Sequence, residues 1–300
     1  MNSYREEPIQ FGAASSLLGV ITRPNGPMSS TVACLMFNFG VTHRVGPRRI
    51  QAKLARQLAR QGFATLRFDL SGLGDSRASD TSQIFEEQAM NDLRTAVDEI
   101  EKRLGIRQIV VIGLCSGAGH GFRISIREPR VVGLLSFDGY AFTSRISDIE
   151  RRVRRFLRFP VAQTRHWIER LLGKDRPDGD LLKTGAPARA MGPRAFGHEL
   201  HKMVARGMAV YFIYSGTLQS SDRRYDQLYP LRNDPVLEKV RYEFMPRVDH
   251  SFTTIEGQTL FIDAACRWVE EVEQRRVATG PAVPIIATPT LSVGAALAVA

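Results

Sequence analysis

Short apolar runs alternate along the chain with longer stretches in which apolar residues recur every three or four positions. That alternation predicts βα units wound around a mostly parallel sheet, an α/β fold. After a hairpin-like start (Ile9 to Phe11, then Leu17 to Ile21), Val32 to Phe37 and Phe63 to Phe68 read as buried strands, with a helix from Pro47 to Arg60 between them. A helix from Gln83 to Leu104 leads through Gly105 into the β-branched run Ile109 to Ile112, which Gly113 breaks. A further helix, Gly117 to Ile126, precedes a strand from Val131 to Phe137. Met208 to Tyr214 and Arg241 to Met245 are expected to be the last two strands, and Thr254 to Arg275 the closing helix. Residues 140–206 hold no strand signal but keep helical periodicity, which predicts a helical cap inserted between two strands. Residues 1–277 are thus expected to form one domain. Residues 278–300, rich in Ala, Pro, Val and Thr and free of charge, read as a loose tail.

The stretch Val110-Val111-Ile112-Gly113-Leu114-Cys115-Ser116-Gly117-Ala118-Gly119 runs from a buried strand into a helix through a tight turn, the form of a nucleophile elbow. A nucleophile held in such a strained turn needs small residues two positions to either side, because a Cβ there would strike the adjacent strand or helix. Gly113 and Gly117 satisfy this around Cys115, whereas Ser116 as nucleophile would put the bulky Leu114 at one of those places. Cys115 is therefore the expected nucleophile. The helix that begins at Ser116 offers positive potential and free N–H groups to an anion, and the Ser116 N–H would point at the oxyanion of an attacked acyl group. Cys34 and Cys266 fall in apolar surroundings and read as packing residues.

Such a nucleophile needs a base, and the chain has six histidines. His250 stands just beyond the last strand and before the closing helix, where a loop could carry it over the elbow, and the chain order of nucleophile, acid and histidine favours it. The orienting carboxylate is expected after the strand Met208 to Tyr214. Asp222 is the first choice there and Asp226 the alternative, while Asp249 is expected to point away.

With these residues in view the chain resembles the α/β-hydrolase superfamily over roughly Ile9 to Arg275. Phe37-Asn38-Phe39-Gly40 followed by His43-Arg44-Val45-Gly46-Pro47 looks like the loop that lends the second oxyanion-hole N–H, here from Phe39. Asp69-Leu70-Ser71-Gly72-Leu73-Gly74-Asp75-Ser76 looks like the family's Asp-x-x-Gly-x-Gly-x-Ser turn. The elbow and the Asp-His-x-Phe context of His250 are similar to those of small hydrolases encoded beside bacterial exosortase and exopolysaccharide systems. Dienelactone hydrolases resemble it in placing cysteine at the elbow. The chain departs from the family's Gly-x-x-Asp spacing after the penultimate strand, since that position holds Gln219. The resemblance implies the α/β-hydrolase fold, a mostly parallel central sheet flanked by helices, and attack of Cys115 on an ester or thioester, with hydrolysis or acyl transfer and no metal or organic cofactor. The missing Asp supports an alternative, a non-catalytic accessory or binding protein on the same fold.

Composition narrows the class further. The 300 residues, 43% hydrophobic and 24% charged, suffice for a sizeable core. No apolar run approaches the ~20 residues of a membrane-spanning helix, and MNSYREEPIQ lacks the basic-then-apolar order of a secretory signal, so a cytoplasmic protein is expected. The three cysteines are scattered, which predicts neither a disulfide framework nor a zinc site. An excess of 41 basic over 31 acidic residues favours anionic partners. Within the cap, Arg145, Arg151, Arg152, Arg154, Arg155 and Arg158 interleave with apolar residues at helical spacing, a pattern that suits an anionic acylated substrate or peripheral contact with an anionic membrane. No nucleic-acid reading module accompanies them.

Overall fold

A computed structural model describes residues 3–26, 28, 30–79, 82–142, 191–217 and 225–279. Within them the apolar runs form one eight-stranded sheet in the order β1-β2-β4-β3-β5-β6-β7-β8. Its strands are β1 (Tyr4–Phe11), β2 (Leu17–Pro24), β3 (Val32–Met36), β4 (Ala64–Phe68), β5 (Gln108–Leu114), β6 (Val131–Phe137), β7 (Ala209–Ser215) and β8 (Arg241–Met245). The first two pair as an antiparallel hairpin and β2 runs antiparallel to β4; every later pairing is parallel.

The parallel strands are apolar on both sides because helices cover both faces. Alternate residues divide cleanly: Ile109, Val111, Val210 and Phe212 enter one core, and Val110, Ile112, Tyr211 and Ile213 the other. Helices α1 (Ile50–Arg60) and α5 (Ile255–Thr279) close the second face, with Leu54, Leu58, Phe261, Trp268 and Val269 buried there. On the first face lie α2 (Phe85–Leu104), α3 (Ser116–Arg127) and α4 (Pro193–Ala205).

Helix α4 falls inside the stretch expected to form the cap, yet Phe196, Leu200 and Met203 are fully buried, and the Phe196 ring stacks on Phe122 of α3 at 4.6 Å. It is therefore a sheet-covering helix. The arginine-rich part of the expected cap and the expected C-terminal tail lie outside the described residues. Among those described, no helix is long and apolar enough to cross a membrane.

Parallel strands all end at one edge of the sheet, and ligands of such sheets bind in the crevice beyond those ends. Phe39, Cys115, Asp138, Ser215 and His250 all follow or close the C-terminal ends of strands, so one edge gathers residues spread over most of the sequence.

Candidate active site

Cys115 occupies the turn between β5 and α3 with φ 57° and ψ −122°, in the positive-φ region that L-residues rarely adopt. Its surroundings explain why the flanking residues are glycines. A Cβ on Gly113 would sit 2.7 Å from the Gly117 carbonyl, and one on Gly117 would sit 2.6 Å from the Asn38 carbonyl. The second contact also packs the peptide between Asn38 and Phe39 directly on the elbow, which brings the Phe39 loop beside the start of α3. The strained turn is held on its open side by the Cys115 N–H, which donates to the Phe137 carbonyl of β6 at 2.8 Å.

His250 reaches this elbow from the loop between β8 and α5. Its ring stacks near Phe137 and lies 5.1 Å from the Phe39 ring, centroid to centroid. Its Nδ1–H donates to Asp138 Oδ2 at 2.7 Å, and the Cys115 side chain stands close enough to the ring to influence its charge. With Nδ1 committed to the carboxylate, Nε2 is the nitrogen left for the sulfur. The bond to Asp138 first, and then the nearby Cys115 side chain, push the His250 pKa up to about 10 against the opposing effect of burial.

The carboxylate at the histidine is thus Asp138, one residue past the end of β6, and not a residue after β7. Its side chain is fully buried, and it is fixed by Ser215, whose N–H donates to Oδ1 at 2.7 Å and whose hydroxyl donates to Oδ2 at 2.6 Å. Asp222 and Gln219 lie outside the described residues. Asp226 is buried in a 3-10 turn (Asp226–Leu231) beside Tyr242 of β8, and the place it would need at Nδ1 is taken by Asp138. Asp249 faces away, accepting from the N–H groups of Ser251 and Thr253. The expectation of an acid after β7 rested on the chain order of nucleophile, acid and histidine, which does not say which strand the acid follows; the described residue at Nδ1 is Asp138. The signal for Asp138 was present all the same: Phe137-Asp138-Gly139 puts a carboxylate directly after a buried strand, and register pairs Leu114 of β5 with Phe137 of β6, next to the elbow.

The loop after β3 is anchored by another buried carboxylate. Asp69 accepts from Asn38 Nδ2 at 2.8 Å, from the Arg44 N–H at 2.7 Å, from the Asp75 N–H at 3.2 Å and from the Arg44 guanidinium. Asn38 in turn accepts from the Leu70 N–H at 2.7 Å. Gly74, at φ 52°, is required there, since a Cβ would lie 2.4 Å from the Asp69 carboxylate. His43, Asp69 and Asp75 offer ligand atoms within 4.8 Å of one another. Arg44 Nη1 lies 2.7 Å from both His43 and Asp75 and bonds Asp69 as well, so a guanidinium already stands among these groups and offsets one of the two carboxylate charges.

The other thiols differ from Cys115 in their setting. Cys34 and Cys266 are buried and burial pushes both thiols up, Cys266 to about 12, which leaves them poor nucleophiles.

The geometry carries a pH signature. A histidine whose pKa is raised by folding stabilises the folded state fully below its unfolded value of about 6.5, and that contribution is lost as pH climbs through the folded value. Urea unfolding of the wild type and a His250→Gln variant is therefore expected to show the widest stability gap at pH 6, narrowing steadily to pH 10. A gap that widens with pH would contradict the hydrogen bond to Asp138.

A strained elbow, a histidine over it and a buried carboxylate behind the histidine, on strands of a mostly parallel sheet, define an α/β-hydrolase. The family model described as the alpha/beta hydrolase fold matches residues 44–194, and the chain belongs to this family. No curated protein matches it. Among solved structures it is similar to an esterase of Pyrococcus furiosus (12% identity, 90% of this chain and 92% of that one, TM-score 0.56). It is similar also to a dienelactone hydrolase of Anabaena variabilis (17%, 90% and 98%, TM-score 0.53) and to a hypothetical protein of Pseudomonas aeruginosa (17%, 90% and 94%, TM-score 0.53).

Proposed function

We propose that this chain hydrolyses an ester or thioester through Cys115, with His250 as the base and Asp138 as the carboxylate that orients it. The observation that carries this reading is the placement of His250, bonded to the buried Asp138 through Nδ1 and standing at the elbow that holds Cys115 at φ 57°. In the first half-reaction the Cys115 thiolate, its proton already held by His250, attacks the acyl carbonyl. The backbone N–H groups of Phe39 and Ser116 receive the oxyanion, and the leaving alcohol or thiol departs with the proton from His250. In the second half, His250 takes a proton from water as it attacks the acyl-sulfur bond, and the carboxylic acid leaves with Cys115 restored as a thiolate. A sugar hydroxyl in place of water would make the same site an acyltransferase.

Activated acyl groups suit this chemistry better than amides, because a thiolate leaves a tetrahedral intermediate more readily than an amine does. The large apolar side chains that stay exposed after strand ends, Val41 (73%) and Ile84 (60%) in loops and Phe85 (41%) and Ile255 (81%) at the first residues of α2 and α5, favour an acyl group with an apolar portion. A role in exopolysaccharide metabolism rests on the likeness of the elbow and of the Asp-His-x-Phe context to the hydrolases of those systems. The arginines of the expected cap would favour an anionic substrate or membrane surface. The accessory-protein alternative drew its support from the absent carboxylate at Gln219, and Asp138 removes that support.

The test is acylation. Incubated with p-nitrophenyl butyrate and quenched in acid, the wild type is expected to carry one butyryl group on the peptide containing Cys115, read by mass spectrometry. The adduct should vanish in Cys115→Ala and form far more slowly in His250→Ala. A protein that stays unlabelled at Cys115 with both this ester and a butyryl thioester would overturn the reading.

A further inference from the structure

Three consecutive residues at the end of β7 tie the acid to the histidine. Ser215 donates to both oxygens of Asp138, through N–H to Oδ1 at 2.7 Å and through its hydroxyl to Oδ2 at 2.6 Å. The Gly216 N–H lies 3.0 Å from the Met245 carbonyl and 2.8 Å from that of Val248, in the loop that carries His250. A Cβ at Gly216 would stand 2.3 Å from the Pro246 carbonyl, so only glycine lets the two chains approach this closely. Thr217 Oγ1 then accepts from the His250 N–H at 3.1 Å. Carboxylate, loop backbone and histidine backbone are thus gripped by neighbouring residues of one segment.

The Asp138 carboxylate needs such a grip for two reasons. It is wholly buried, so its charge must be met by donors. It also projects from a residue at φ 49°, outside the strand geometry that would otherwise fix its direction. A carboxylate held by one fixed N–H and by an imidazole that can itself swing can still turn about its Cβ–Cγ bond. A second fixed donor on the other oxygen sets its plane.

We infer that Ser215 is a positioning residue for the reaction: its hydroxyl fixes the plane of the Asp138 carboxylate so that Oδ2 is presented to His250 Nδ1. On this account β7, the strand expected to lead to the acid, supplies the acid's holder instead. The inference rests on the catalytic reading above, and its test reads His250 directly, so the two can fail separately.

A positional role and a purely electronic one predict opposite signs. Donation by the hydroxyl withdraws charge from Oδ2, so if that were its only effect, removing it would make the carboxylate hold the imidazole proton more tightly. If the hydroxyl positions the carboxylate, removing it loosens the Asp138–His250 bond and the imidazole releases its proton at lower pH. The groups that face the imidazole are Asp138, Cys115 and the rings of Phe39 and Phe137, and Ser215→Ala leaves all of them in place.

The experiment is an NMR titration of the His250 imidazole in the wild type, Ser215→Ala, Ser215→Thr and Asp138→Asn, with kcat and KM measured on p-nitrophenyl butyrate. In Ser215→Ala the midpoint is expected to fall from about 10 toward the ordinary histidine value of 6.5. Its kcat should drop about tenfold to a hundredfold at unchanged KM, the scale expected of a misplaced catalytic group. Ser215→Thr, which keeps the hydroxyl, should restore both. A midpoint that stays put or rises in Ser215→Ala, while Asp138→Asn lowers it, overturns the inference. Should Ser215→Ala not fold, Ser215→Cys, of similar shape with a weak S–H donor, gives the same reading. The titration is read whether or not the ester is turned over, so loss of the hydrolase reading is told apart from loss of this one.

Discussion

Asp138→Asn is expected to fold and bind substrate but lose on the order of 10⁴-fold in kcat, the loss seen when the carboxylate behind a catalytic histidine becomes an amide. The reason is local. Asp138 is the first cause of the raised His250 pKa, and an amide can neither attract the imidazolium nor enforce N–H on Nδ1. The backbone should tolerate the change, because the Ser215 N–H can donate to the amide oxygen while the Ser215 hydroxyl, free to rotate, can accept from the amide N–H in place of donating to Oδ2. Steady-state kinetics on p-nitrophenyl butyrate decide the matter with Asp222→Asn and Asp226→Asn as companions, both expected to keep kcat close to the wild type. If Asp222→Asn were the crippled variant and Asp138→Asn the active one, the orienting acid would lie after β7 after all.

Asp69→Ala is expected to cost about 3 kcal/mol of stability, at the lower end of what breaking a buried ion pair costs. It strands two N–H donors and the Asn38 amide, and takes one of two carboxylates from a guanidinium whose side chain is only 11% exposed. Asp75 remains as partner, which keeps the figure from being larger. Asp75→Ala should cost less than ~1 kcal/mol, since that carboxylate is 54% exposed and its pairing with Arg44 is screened. Urea denaturation at one pH gives both numbers. Equal costs would mean that the anchor of the Phe39 loop is not the buried aspartate.

Much of the scaffold was legible because its signals are local. The runs Val131 to Phe137 and Arg241 to Met245 are strands with those bounds, the first because it is mostly apolar and β-branched, the second because Arg241, Tyr242, Glu243 and Phe244 alternate polar and apolar. The elbow was legible for a steric reason that sequence alone exposes, the pair Gly113 and Gly117 around one residue. Sequence could also point to His250, because order along the chain and position after the last strand are one-dimensional properties. The partner of its far nitrogen is not one. Whether the acid arrives from β6 or from beyond β7 depends on which strand lies where in the sheet, and on a serine that turns a carboxylate through two hydrogen bonds. The same limit applies to Asp69, whose donors come from Asn38 and Arg44 as well as from its own turn. Helix α4 was hidden among cap residues because helical periodicity does not say which surface a helix covers.

Cys115 and Asp138 both sit at positive φ, a conformation that costs an L-residue of the order of 1–3 kcal/mol and persists only where its surroundings dictate it. No short peptide spanning either residue would hold that shape by itself. The ties that impose it come from other strands, the Cys115 N–H on Phe137 and the Asp138 N–H on Ile213, and the imidazole arrives only with the segment after β8. During synthesis on the ribosome, then, the Cys115 sulfur emerges well before the segment that carries His250, and on the proposed reading it stays without its base until almost the whole sheet has assembled. On that reading, competence for acyl chemistry is deferred to the end of folding.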